Sequence, residues 1–355
     1  MDRRAAFAPV ARLVDDAVRR RAFPCAALEV GGSAGPIWSH AAGALSCDDD
    51  AEPATADTVF DLASLTKVLA TATVLMRLVD AGTVTLADRV GSRLAEWRGG
   101  GRDEVTVADL LEHAGGLTAH LPFFRDHRGR RDYEHAICTL PLEYPPRTRS
   151  VYSDLGFVLL AFIAADAAGA GLDEQFDEVA GRLGITDLRF RPPAAWRSRT
   201  APTEVDPWRG RLLRGEVHDE NAWALGGVAG HAGLFGTAPA VGLFARAVLE
   251  TLRGRPRLAR PETLARFVRR GRVAGSSRAL GWDTMLVTSS CGRALSPAAF
   301  GHTGFTGTSL WVDPVQDLYV VLLTNRVHPT RTNEAILGVR PAVHDAVVRA
   351  LTRGS

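Results

Sequence analysis

Lysine is almost absent from this chain. Of its 42 Lys and Arg residues only Lys67 is a lysine, which leaves 41 arginines. An arginine stays protonated in any ordinary protein setting, whereas a buried lysine can lose its proton and act as a base. The one retained lysine therefore points to a place where deprotonation matters. Cysteine is scarce as well. Cys25, Cys47, Cys138 and Cys291 are scattered without a C-x-x-C pair, which points to free thiols in a reducing compartment. An excess of charge of one sign is missing: a net charge of +2 leaves no case for nucleic acid or an anionic membrane surface as partner. The one local cluster, Arg125, Arg128, Arg130 and Arg131, is interleaved with Asp126 and Asp132 and reads as a solvated loop. No apolar run spans a membrane. The best candidate, residues 155–165, ends at Asp166, short of the roughly 18 residues a span needs. The N-terminal stretch has no apolar signal core and carries Asp15 and Asp16, so a cytoplasmic location is expected.

Lys67 stands in Ser64-Leu65-Thr66-Lys67, an S-x-x-K. On a helix that spacing puts both side chains on one face. A hydroxyl beside an amine able to shed its proton is an activated nucleophile. Leu65, Val68, Leu69, Ala72, Leu75, Met76 and Val79 recur at helical steps, and Val74 and Leu78 widen the stripe until it nearly circles the helix. That pattern predicts a buried helix stopped by Gly82, with Ser64 in its first turn. Backbone N–H groups there favour developing negative charge. Lys67 is then expected in apolar surroundings that lower its pKa.

A chain of 355 residues, 46% hydrophobic and 23% charged, forms one compound domain or two. Phe7, Val10, Leu13, Val14 and Val18 predict an amphipathic first helix. Residues 26–30 and 37–42 read as strands, as do 309–312 and 318–323 around Asp313-Pro314. Residues 119–150 read as an irregular flap and 191–222 as loop. Helices are expected from 105, over 155–168, 238–252 and 261–270, and over 334–352. The predicted fold is α/β: an antiparallel sheet flanked by N- and C-terminal helices, with an inserted, mostly helical domain. The sheet half covers about 1–60 plus 271–355 and the helical half about 61–270. Ser64 falls where one hands over to the other, and such junctions favour pockets.

Two further motifs follow in order. Tyr152-Ser153-Asp154 precedes a buried helix in a chain with 4 tyrosines. A phenol can shuttle protons where a nearby cation lowers its pKa, although Tyr152 can equally pack on the helix with Ser153 as N-cap. His302-Thr303-Gly304-Phe305 stands immediately before a strand, and no lysine remains to make a phosphate-binding loop of the Walker type.

Together these three motifs resemble the class C β-lactamase-like superfamily of serine hydrolases, which includes D-Ala-D-Ala carboxypeptidases, D-aminopeptidases and esterases. The likeness covers nearly the whole chain and includes Val105 through Leu117, similar to the family's TVRDLLTHTSGL stretch. It implies Ser64 as nucleophile, Lys67 as its proton acceptor, Tyr152 as the proton relay and Asp154 as a hydrogen-bond partner of Lys67. It also implies His302, Thr303 and Gly304 as the strand edge along which substrate lies, and the N–H groups of Ser64 and Phe305 as the oxyanion hole. The implied reaction is acyl transfer through an acyl-enzyme on amides or esters of a small peptide-like substrate, with no metal and no cofactor. A carboxylesterase, or a slowly acylated penicillin-binding sensor without turnover, are the alternatives.

Two departures stand out. Asp replaces the family's usual Asn at 154, and His replaces Lys at 302, which resembles the peptidases and esterases more than penicillin-hydrolysing enzymes. The stretches 217–233 and Asn325-Arg326-Val327-His328-Pro329 are similar to a branch associated with peptidoglycan recycling, whose substrate is a muropeptide amide. His218, Asp219 and His231 carry metal-ligating side chains, at a spacing that fits no standard motif.

Overall fold

The computed structural model describes residues 3–354. Helix α1 (Arg3–Arg19) leads into the hairpin β1 (Cys25–Gly32) and β2 (Gly35–Gly43). Four more strands come from the C-terminal part: β3 (Asp283–Thr284), β4 (Phe300–Thr303), β5 (Ser309–Asp313) and β6 (Leu318–Thr324). They join one sheet in the order β2-β1-β6-β5-β4-β3, with every pair antiparallel. Leu28 lies opposite Leu322, so the first and last hairpins meet at the centre of the sheet.

Both faces of this sheet are covered, which is why β1 and β6 are buried along their whole length and read as continuous apolar runs. Alternate side chains feed different cores. Ala26, Leu28, Val320 and Leu322 pack with Phe7, Val10 and Val14 of α1 and with Val343 and Val347 of α9 (Ile336–Gly354). Ala27, Tyr319, Val321 and Leu323 pack instead with Val241, Phe244 and Val248 of α7 (Ala238–Leu252). The terminal helices thus cover one face only. The other is closed by α7, a helix that the sequence pattern places in the middle segment.

That middle segment contains α2 (Thr73–Asp80), α3 (Val107–Leu111), α4 (Gly129–Thr139), α5 (Asp154–Ala168), α6 (Leu172–Leu183), α7 and α8 (Pro261–Phe267). Helix α5 is buried from Leu155 to Ala164 without a polar stripe, as the centre of a helical body requires. Ser153 caps it, and Gly169, in the left-handed region at φ 66°, ends it. No single helix among the described residues is long and apolar enough to cross a membrane.

The structure departs from the sequence pattern in several places, one of them the expected loop at 191–222, which holds a 3-10 turn at Ala194–Arg199 and two short paired strands, Val205–Asp206 and Arg211–Leu212. The expected flap at 119–150 contains α4, which includes Arg130 and Arg131 of the expected solvated loop. Helix α6 lies outside the expected elements. The expected helix 261–270 ends at Phe267. The Ser64 helix is not regular: residues 63–65 form a 3-10 turn and Lys67–Ala72 a π-helical segment before α2 begins.

Candidate active site

The Ser64 turn is built from Asp61 outward. The buried Asp61 carboxylate accepts the N–H of Ala63 at 2.8 Å and of His218 at 2.7 Å. Thr306 and Thr308 donate their hydroxyls to the carbonyls of Asp61 and Leu62. Ala63 is held at φ 46°, a conformation a non-glycine residue adopts only where its surroundings over-determine it. The end of β4 presses directly on this turn. A Cβ on Gly304 would lie 2.1 Å from the Thr308 hydroxyl and 2.5 Å from the Leu62 carbonyl, so only glycine fits. The Phe305 N–H, just past the strand, makes no hydrogen bond among the described residues.

Lys67 is fully buried, and its Nζ uses three donors. It donates to Ser64 Oγ at 2.9 Å, to Asp154 Oδ1 at 2.7 Å and to the His231 carbonyl at 3.2 Å. The 3-10 turn at 63–65 sets Ser64 beside Lys67, where the π-helical segment begins, and a π-bulge at such a point is a frequent mark of a functional site. Tyr152 lies with its ring centroid 4.7 Å from Nζ, and its hydroxyl interacts with both Lys67 and Ser64. Ser64, Lys67, Tyr152 and Asp154 are therefore one cluster. His302, Thr303, Gly304 and Phe305 line the same cleft, whose volume is about 650 Å³.

The expected lowering of the Lys67 pKa is overturned. Burial alone would lower it, but Asp154 and Tyr152 oppose burial and prevail, so the ammonium is favoured. Burial pushes the Asp154 carboxyl up, yet the Lys67 ammonium and His120 hold it well below the usual carboxylate range. Burial raises the Tyr152 phenol against the pull of the Lys67 charge.

His302 departs from expectation as well. It belongs to β4 itself, and the next strand, β5, begins only at Ser309. Burial, with the charges of Lys67 and Arg278, pushes it well below the ordinary histidine range. A neutral imidazole cannot attract a substrate carboxylate. Four arginines line the same cleft: Arg331 is paired with Glu204 and Glu220, which leaves Arg278, Arg326 and Arg340 for a substrate carboxylate.

Several neighbours carry no sequence signal of their own. Arg278 lies over the Tyr152 ring, 4.9 Å from its centroid. His120 Nδ1 is 3.6 Å from the second oxygen of Asp154. His113, at φ 56°, accepts the Ser153 N–H on Nδ1 at 3.0 Å and so fixes the strand-like entry to Tyr152 and Asp154. His113 is legible after the fact, since it lies in the 105–117 stretch. His218, Asp219 and His231 do not converge: His218 pairs with Glu204 and His231 with Asp219. Among the described residues no group of three or more His, Cys, Asp or Glu side chains is placed to hold a metal ion.

A two-faced antiparallel sheet, a helical body, and S-x-x-K, Tyr-Ser-Asp and His-Thr-Gly elements meeting between them define the class of β-lactamase-related, penicillin-binding-like hydrolases. The chain belongs to the Beta-lactamase family, whose profile matches residues 10–342. It is 31% identical over 309 residues to a protein of Escherichia coli (strain K12) named "Putative D-alanyl-D-alanine carboxypeptidase", covering 78% of this chain and 70% of that one. Its fold is shared with a penicillin-binding protein homologue from Caulobacter crescentus, with a TM-score of 0.77, 20% identity, and 99% and 98% of the two chains covered. It is shared equally with EstCE1, a hydrolase with promiscuous acyltransferase activity, with a TM-score of 0.75, 20% identity, and 96% and 99% covered.

Proposed function

We propose that this protein is a serine hydrolase that cleaves amide or ester bonds of a small peptide-like substrate through a covalent acyl-enzyme. The observation that carries this reading is the 2.9 Å hydrogen bond between Ser64 Oγ and the buried Nζ of the only lysine. Ser64 is the nucleophile. Once the coupled Lys67–Tyr152 pair has released one proton to solvent, it takes the Ser64 proton as Oγ attacks the substrate carbonyl. The same pair returns the proton to the leaving group and later takes one from the water that releases the acyl chain. The N–H groups of Ser64 and Phe305 receive the developing oxyanion. The strand edge at His302, Thr303 and Gly304 aligns the substrate backbone, and the arginines of the cleft suit a substrate carrying a carboxylate. The carboxypeptidase name of the curated relative supports a peptide-like, cell-wall-derived substrate.

The second reading, a protein acylated slowly without release, is favoured by one feature: Asp154 holds Lys67 in the protonated form, which slows both half-reactions at neutral pH. A fluorophosphonate probe should add one adduct, located on Ser64 by mass spectrometry. An adduct elsewhere, or labelling of Ser64→Ala, removes Ser64 from the mechanism. With a chromogenic ester, repeated turnover supports the hydrolase and a single stoichiometric burst supports the sensor.

A further inference from the structure

A second cleft, of about 670 Å³, lies between α3 and the turn that follows α8, and it shares no lining residue with the Ser64 cleft. Its wall carries Arg147, Arg266, Arg269, Arg270 and Arg272 against two acidic residues, Asp109 and Glu112. Both acids are already committed. Asp109 accepts two donors from the Arg147 guanidinium, at 2.9 and 2.8 Å, and caps α3 through Thr106. Glu112 is influenced by the neighbouring Arg272 and lies so close to Gly271 that a Cβ there would approach its carboxyl carbon to 2.7 Å. The acids therefore shape the turn: Asp109 is taken by Arg147 and Glu112 offsets only the Arg272 charge, which leaves Arg266, Arg269 and Arg270 without a carboxylate partner. Among the described residues, none of Arg266, Arg269, Arg270 and Arg272 forms an ion pair, although many of the chain's other arginines do.

The turn is also braced. The Arg270 side chain donates to Thr284 Oγ1 at 2.8 Å and to the Met285 carbonyl at 2.6 Å, and the Gly271 N–H donates to the Arg278 carbonyl at 2.7 Å. Guanidinium groups present paired donors that match phosphoryl oxygens. Several of them in one concave site, with the local carboxylates otherwise engaged, favour a ligand with more than one negative charge. We propose that this cleft binds a small molecule bearing two or more linked phosphoryl groups, at a site independent of Ser64.

The test is calorimetric titration of the full chain at low salt with inorganic pyrophosphate, inorganic phosphate, and a DNA duplex at equal charge concentration. The expected result is saturable pyrophosphate binding, at least tenfold tighter than phosphate. Arg269→Glu/Arg272→Glu should weaken it by at least tenfold while fluorophosphonate labelling of Ser64 stays unchanged. Arg269→Gln, a milder change, should weaken it in the same direction if the double variant proves unstable. No saturable pyrophosphate binding, equal binding by the variants, or duplex DNA competing as well as pyrophosphate would each overturn the proposal.

Discussion

At Lys67 three acceptors converge on one buried ammonium, and one of them is an ionised carboxylate 2.7 Å away. A lysine so held is a weak base until its proton is drawn off. Asp154→Asn keeps an oxygen for the hydrogen bond and removes the charge that favours the protonated form. We expect the ascending, basic limb of kcat/KM in wild type to lie on the alkaline side and to move to lower pH in this variant. Since Lys67, Tyr152 and Asp154 titrate as a coupled set, the shape of the limb should change along with its position. Superimposable pH–rate profiles for the two proteins would show that Asp154 does not govern Lys67. Lys67→Arg separates charge from basicity. The guanidinium can keep the pairing with Asp154 but cannot accept a proton at working pH. The Arg variant should lose roughly 10² to 10⁴ in rate, nearly as much as Lys67→Ala. Activity within about tenfold of wild type would mean that the positive charge alone is what the site needs.

Among the elements, the segment from Thr66 to Asp80 and the Gly-rich stretch around 230 act as one part. Thr71 Oγ1 donates to the Gly230 carbonyl at 2.7 Å, the Leu234 N–H donates to Thr66 Oγ1, and the neighbouring His231 carbonyl receives Lys67. Helix α5 lies against the same stretch, and a Cβ at Gly230 would approach the Phe157 carbonyl to 1.9 Å. Backbone on both sides leaves no flexible atom to yield. Gly230→Ala should therefore destabilise the fold by about 1–3 kcal/mol or more. It should also lower kcat more than it raises KM, because the adjoining His231 carbonyl, which receives Lys67, would shift with it. Urea denaturation and steady-state kinetics measure the two effects. A variant as stable and as active as wild type would show that the packing of α5 against this loop is looser than described.

Over the whole molecule, several histidines are buried in neutral form. His113 and His302 are held well below the ordinary range, by burial first and then by neighbouring positive charges. Burial likewise takes His344 down to about 4. Each binds a proton more readily in the unfolded chain than in the native one. Their contribution to stability is therefore present above the unfolded value of about 6.5 and is lost as pH falls toward the folded values. Each can remove up to about 1.4 kcal/mol per pH unit over that window. Asp154, depressed by its partners, adds a further loss only below about pH 4. Urea midpoints should fall from pH 7 to pH 5, ahead of the loss from Asp154, with the raised carboxyls of Glu29, Asp61 and Glu112 and the raised imidazole of His120 acting in the opposite sense and reducing the slope. A flat profile across that range would mean that these imidazoles are reached by water in the native state.

Much of this was legible in the chain itself. The single lysine three residues after Ser64, the order of the three motifs, the apolar hairpins at both ends and the uniformly apolar helix at 155–168 follow from residue type and short-range periodicity. Those are local properties, and local steric preference and amphipathic spacing act along the chain. Helix α6 was legible too, since Leu172, Phe176, Val179 and Ala180 repeat at helical spacing between Gly171 and Gly184, while α4 has a broken apolar stripe that gives no such warning. The protonation of the site could not be read in this way. Lys67 meets Asp154 and the His231 carbonyl from 87 and 164 residues away, and His302 feels the charge of Lys67, which comes from the other end of the chain. Charge state depends on desolvation and on distance in space. Only the tertiary structure sets either, and here it reversed the expectation for Lys67 and set His302 well below the ordinary histidine range.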